Sequence, residues 1–547
     1  MRSALAVLAA GIALSQTYTA GPQVTTFFSE IDDTDQPYGL YLPRDFQAGK
    51  KYPLVISLHG ASSNHRLNLR RVFGKGNLLS ESDAEATRYF PPFRDVDYIV
   101  ASPLARGTMG YQGIAEKDVY AVLAKVKRRY AIDEERIYLT GLSMGGGGTL
   151  WLGLTRPDIW AAIAPVCPAA PENLEELAGN AAHIPVKIFQ GAIDPTVKSD
   201  MTRRWVQLLK DAGAKVEYVE YPGVRHNSWD LAYKDGAIFD WFDQHRLVRY
   251  PERVQFAARD YEHGAAYWVR FDALTAGTLA RIDAKFTGKN AIVIQTEQLE
   301  GFTLQLKNHP LFSTDRPLTI RIDGTNLRLK ARDSVSLVRG RNGWSARSLL
   351  PSSTEKGPGL EGPIAKAVES RHVYVYGTAD SPSPEEAARR REVAAFAASW
   401  GTSKNPLLLT LPVLADAEVK EKDLNESHLI LFGTRETNSL IAKYSARLPL
   451  ELNAGAADYG LVYVMPVRGR YVVVNSGLPW WTRADQAKIA GWSFIPQQYK
   501  LLQTFGDYVL FKSGIDNVIA QGRFSAQWKL PREAAMQLTG SGVVTVR

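Results

Sequence analysis

Between residues 24 and 246, short apolar runs alternate with longer stretches in which apolar positions recur every three or four residues. The runs at 54–58, 98–101, 137–139, 161–166, 186–189 and 216–221 are rich in Val, Ile, Leu, Ala and Tyr. That texture fits strands buried on both faces. The stretches at 115–130, 145–154, 201–212 and 238–246 read as helices. Strand and helix in turn predict an α/β domain, a mostly parallel sheet covered on both sides, whose ligands meet the carboxyl ends of the strands.

After Tyr250-Pro251 the pattern changes. From 267 to 337 apolar and polar residues alternate, as in Ala291-Ile292-Val293-Ile294-Gln295-Thr296 and Leu318-Thr319-Ile320-Arg321-Ile322, with Gly and Asp-Gly turns between. This predicts a β-rich module. A Pro/Gly/Ser-rich stretch at 351–363 then leads to two similar units, His372-Val373-Tyr374-Val375-Tyr376-Gly377-Thr378 and His428-Leu429-Ile430-Leu431-Phe432-Gly433-Thr434. Each reads as a strand entering Gly-Thr before a helix, which predicts a Rossmann-like α/β region. Neither completes G-x-G-x-x-G, so no dinucleotide is expected there and a structural or interaction role is. The divisions fall at 1–15, 16–250, 251–350 and 351–547.

Composition narrows the classes. The chain has 547 residues, 45% hydrophobic and 22% charged, as expected of a globular protein with several domains. Residues 1–15 carry Arg2, an apolar run from Ala4 broken at Gly11, and small residues at Ala13 and Ser15, the pattern of a secretory signal. The expectation is a secreted or periplasmic protein without a membrane span. A single cysteine, Cys167, excludes an internal disulfide and multi-cysteine zinc sites. The formal charge of +8 is spread along the chain with no repeated basic-aromatic motif, which argues against nucleic acid and leaves attraction to anionic polysaccharide open.

The strand at 137–139 runs into Thr140-Gly141-Leu142-Ser143-Met144-Gly145-Gly146-Gly147-Gly148-Thr149 and then into a helix. A G-x-S-x-G sequence at a strand-to-helix turn resembles the nucleophile elbow of α/β-hydrolases. Flanking glycines keep neighbouring side chains away from Ser143 Oγ, and the Met144 amide at the helix start is placed to donate to an oxyanion. In such enzymes the acid and the histidine follow later strands, in the order Ser, acid, His. Here the strand at 186–189 empties into Gln190-Gly191-Ala192-Ile193-Asp194, and the strand at 216–221 is followed by Pro222-Gly223-Val224-Arg225-His226. Asp194 and His226 are the candidates, with Asp200 and Asp230 as alternative acids. Among nine histidines, His65, His183 and His245 share the domain, but none follows a strand after the acid. The loop His59-Gly60-Ala61-Ser62-Ser63-Asn64 offers a second oxyanion donor at the Ala61 amide, with Ser62 next; His59 reads as a residue that shapes the loop.

Together these residues resemble the esterase branch of the α/β-hydrolases: polyhydroxybutyrate-depolymerase and feruloyl-esterase-like enzymes, and the catalytic domain of the prolyl oligopeptidase family. The likeness covers about 24–246. It implies a serine hydrolase that needs no metal or cofactor, most simply a carboxylesterase acting on a bulky, carbohydrate-linked ester. A prolyl-oligopeptidase-like peptidase is the alternative, although no propeller fits before Ser143. A non-catalytic carbohydrate- or surface-binding protein is a second one. Segments 102–107 and 115–119 resemble parts of those enzymes that shape the site and start a helix. Within 64–75, Arg66 and Arg70 lie one helical turn apart, beside Arg71 and Lys75. They read either as a solvated helix face or as guanidinium groups meeting an acidic or polyhydroxylated substrate.

Overall fold

A computed structural model describes residues 18–275, 277–347 and 355–547. The signal-like residues 1–15 and the start of the 351–363 stretch lie outside the described residues. The first domain is built on an eight-stranded sheet of order β1-β2-β4-β3-β5-β6-β7-β8. The strands are β1 (Gly21–Ser29), β2 (Thr34–Leu42), β3 (Tyr52–Leu58), β4 (Ile99–Pro103), β5 (Ile132–Leu142), β6 (Ala162–Val166), β7 (Val186–Gly191) and β8 (Val216–Tyr221). Only β2 runs against the others in this sheet. β3, β4 and β6 are buried at every position, which is why their sequences show no alternation. All six expected strands are present. The β1–β2 hairpin was not expected, because Pro37 and Gly39 interrupt the apolar pattern of β2.

Helices cover both faces: α1 (His65–Val72), α2 (Asp83–Ala86), α3 (Ile114–Arg129), α4 (Met144–Thr155), α5 (Ser199–Asp211), α6 (Trp229–Ala232) and α7 (Ala237–Phe242). One core lies under α3, α4 and α5 through Val119, Val122, Leu150, Leu154, Trp205 and Leu209. The opposite face packs Leu69, Val72, Ile238, Phe239 and Phe242. The helix expected over 238–246 stops at Phe242; the chain turns there so that Leu247 N–H reaches Glu135 O at 2.9 Å.

Between 253 and 346, ten strands form two five-stranded sheets packed around Trp268, Phe271, Phe286, Phe302 and Leu304. The last region holds a seven-stranded mixed sheet. In it, His372–Tyr376 and His428–Phe432 are parallel neighbours in register, so the two similar sequence units are adjacent strands of one sheet. Their Gly-Thr ends serve turns: Thr378 donates twice to Asp416, and a Cβ on Gly377 would overlap the Thr437 carbonyl.

This third region is not a loose appendage. The core under α3 continues without a break into Ile364, Val368, Leu461, Tyr499 and Leu501. Arg106, fully buried, bonds Asp118 of α3 at 2.7 Å, Asp32 at 2.6 Å, Ser29 Oγ at 2.6 Å and Leu408 O at 3.2 Å, tying the first hairpin, α3 and the third region together. His263, in the second module, sits between Asp260 at 2.8 Å and Glu116 of α3 at 2.9 Å.

Candidate active site

β5 delivers Ser143 directly. Its residues 137–142 are all buried, and Ser143 then adopts φ 55° and ψ −115° before α4 begins. Such a left-handed serine costs on the order of 1–3 kcal/mol and persists because its surroundings fix it. Ser143 N–H donates to Val166 O at 2.9 Å, and Ser143 O accepts from Gly147 and Ala169 N–H, each at 3.0 Å. The glycines do more than clear space around Oγ. A Cβ on Gly145 would overlap Leu58 O, one on Gly146 would overlap Val166 O, and one on Gly147 would overlap Ala169 O. The glycine run therefore lets α4 rest on the backbone at the ends of β3 and β6.

His226 Nε2 lies 2.9 Å from Ser143 Oγ, and Nδ1 lies 2.7 Å from Asp194 Oδ2. The Asp194 carboxylate is buried. Its Oδ1 accepts the amides of Thr196 at 2.8 Å and Val197 at 3.0 Å, and Oδ2 also meets Gln190 Nε2 at 3.3 Å. Burial pushes this carboxyl up, but the bond to His226 and the amide donors outweigh it and hold it below its ordinary value. The loops bearing acid and histidine are joined to each other: Ile193 N–H donates to Val224 O, and a Cβ on Gly191 would overlap Arg225 O. A hydroxyl, imidazole and carboxylate in line let the imidazole take the hydroxyl proton while the carboxylate steadies the charge.

The other candidates lie elsewhere. Asp230 accepts from Asn227 and Asp200 from Met201 N–H, so neither faces His226 Nδ1. His183 lies against Arg253 O, and burial pushes His65 down to about 4. His59 is buried with its ring 2.8 Å from the carbonyls of Gly60 and Leu104, a loop-shaping place. Ser62 N–H is engaged by Thr108 Oγ1 at 2.7 Å. Ala61 N–H donates to no acceptor among the described residues. The Met144 amide opens α4, where helix N–H groups lack intrahelical partners.

The arginine pair is engaged within the chain. Residues 65–72 do form a helix, α1, but Arg70 is 1% exposed and donates to Ala86 O, Gly76 O and Glu81. Arg66 donates to Thr87 O and Arg88 O and lies over the Phe90 ring. Both therefore brace the 76–90 segment through its carbonyls, Arg70 from a buried position and Arg66 from a half-buried one. Arg71 is the member that approaches the triad: its guanidinium lies 5.3 Å from the Trp229 ring centre, and Trp229 packs edge-on to His226 at 5.4 Å. Trp229 follows His226 by three positions, so the sequence carried that neighbour without marking its contact.

Among the described residues, Cys167, Asp194 and His226 come close enough to share a metal ion. Both imidazole nitrogens are already engaged by Asp194 and Ser143, and burial pushes the Cys167 thiol up to about 12, so the group makes a poor metal donor set.

Two loops beside the elbow are braced by the third region. Asn405 Nδ2 donates to Thr108 O at 2.7 Å, and Trp492 Nε1 donates to Ala170 O at 2.9 Å. Neither contact had a signal in the sequence, since each joins residues about 300 positions apart.

Residues 114–235 match the family model of phospholipases and carboxylesterases. With the sheet order and the strand-to-helix serine, this match shows the α/β-hydrolase fold in the first part of the chain. Similar solved structures include a thermostable esterase, at 27% identity and TM-score 0.34 over 41% of this chain and 63% of that one. A ferulic acid esterase from Anaeromyces mucronatus aligns at 19% identity and TM-score 0.31 over 41% of this chain and 94% of its own. The fluorophosphonate-binding serine hydrolase F of Staphylococcus aureus aligns at 16% and 0.31, over 41% and 98%.

Proposed function

We propose that the protein is an exported serine carboxylesterase acting on an ester carried by a bulky substrate. The hydrogen-bonded line from Ser143 through His226 to Asp194 is the observation that supports this most. Ser143 Oγ attacks the acyl carbon as its proton passes to His226 Nε2. The tetrahedral oxyanion accepts from the Ala61 and Met144 amides. His226 then protonates the departing alkoxide, leaving an acyl-Ser143 ester. Water attacks that ester, giving its proton to His226, and the acid departs as Ser143 Oγ recovers the proton. Asp194 keeps the imidazole oriented throughout. Export is supported by the signal-like pattern of residues 1–15.

The test pairs a fluorophosphonate probe with a panel of p-nitrophenyl esters, acetyl and feruloyl esters, and dipeptidyl amides. The expected result is labelling of the wild type but not of Ser143→Ala, with esters hydrolysed and amides spared. A wild type that takes no label, or ester hydrolysis that survives in a folded Ser143→Ala protein, overturns the reading; amide cleavage in place of ester cleavage favours the peptidase.

A further inference from the structure

A cavity of about 430 Å³ opens where the three regions meet, and none of Ser143, Asp194 and His226 lines it. Its wall carries charges of both signs, and most of them are already partnered. Lys366 is bonded to Asp260, Glu262 and Glu369, and Glu116 takes His263 and the Trp151 indole N–H. At one end the balance differs. Arg259, Lys356 and Arg523 gather there from three separate segments. Lys356 is bonded to Asp507 and Arg259 to Glu176. Arg523 has no carboxylate partner among the described residues, and none of the remaining residues, 1–17, 276 and 348–354, is acidic.

Like charges brought together in a recess repel unless an anion joins them. Burial and the neighbouring Arg281 and Arg523 hold Arg259 below its ordinary value; burial lowers Lys356 too, with Asp507 opposing the shift and Arg523 adding to it. On the cavity wall burial and the Asp260 carboxylate push Glu361 above its ordinary value. Its negative charge is correspondingly disfavoured, so it competes less with a bound anion. Tyr261 and Trp151 add aromatic residues to the cavity lining.

We propose that this junction cavity binds a small oxyanionic molecule, a carboxylate or a phosphate, with Arg523, Lys356 and Arg259 on the anionic group. A guanidinium fork matches either anion in bidentate fashion. The site is separate from ester hydrolysis and spans all three regions, so its occupant holds them together.

The full-length protein is titrated by calorimetry with sodium phosphate and with sodium glucuronate, each against sodium chloride at equal ionic strength. Saturable one-site binding of at least one anion is expected, the tighter of the two identifying its source. Arg523→Gln should weaken that binding at least tenfold, and Arg259→Gln serves the same purpose if the first variant does not fold. Arg316→Gln, outside the cavity, should bind like the wild type. Absence of binding above the chloride control, or wild-type affinity in a folded Arg523→Gln protein, overturns the proposal.

Discussion

At the scale of single residues, the triad and the glycines beneath it make sharply different predictions. Ser143→Ala should lower ester turnover by a factor on the order of 10⁶, and His226→Ala by a similar one, because members of such a unit fail together. His65→Ala and His183→Ala should keep most of the activity, since neither side chain reaches Ser143; rates on p-nitrophenyl acetate distinguish the four variants. Gly145→Ala should instead lower stability, by about 1–3 kcal/mol or more, because its Cβ would collide with the Leu58 carbonyl. Urea unfolding measures that loss. Asp194 adds a pH signature. Its folded value lies below the ordinary 3.8, so its contribution is present above that pH and is lost as the pH falls through the lower folded value. The stability gap between wild type and Asp194→Asn should therefore narrow as the pH is taken from neutral down into that acid window.

At the scale of elements, helix α1 shows how one pattern admits two meanings. A basic stripe at 66, 70, 71 and 75 reads equally as a solvated face or a binding face, and the sequence offers no way to see the carbonyls that the chain later folds against it. Arg70 and Arg66 pin the 76–90 segment through four backbone carbonyls. Arg70→Ala should release it, giving a new protease-sensitive site within 76–90 and a lower Tm, with the triad geometry kept. An unchanged digestion pattern would show that the segment is held by other contacts. The long apolar strands and the G-x-S-x-G turn were legible because each answers to a local requirement: burial on both faces in one case, a tight strand-to-helix reversal in the other. The β1–β2 hairpin was not, because Pro37 and Gly39 break the apolar pattern of β2, whose burial rests on pairing with the sequence-distant β4.

At the scale of the whole molecule, the shared core and the ion network at the junction decide what can be removed. A fragment ending at Tyr250 would expose the face of α3 that now packs on the third region, and it would lose the braces on Thr108 and Ala170. It should be aggregation-prone and weakly active; a soluble, fully active fragment would refute that. The junction also sets an alkaline limit. Burial works against the charge on His263, but Asp260 and Glu116 raise its value well above 6.5. A raised value means that the stabilisation is full below the ordinary imidazole value and is lost as the pH climbs through the folded one. Tm should fall on the alkaline side, and His263→Gln should flatten that fall.

What the amino-acid sequence determined by itself was the local and periodic part of this protein. Strand and helix order over 54–242, the elbow at Ser143, and Asp194 and His226 as the residues that follow the right strands all rest on short-range pattern or on chain order. Tertiary structure alone decided what the charges meet. It set Arg66 and the buried Arg70 against the carbonyls of 76–90, buried Arg106 against two carboxylates, and brought Asn405 and Trp492 to loops some 300 residues away. The reason is physical: apolar burial leaves a period in the sequence, whereas a polar side chain takes its role from whichever partner the fold places within hydrogen-bond reach.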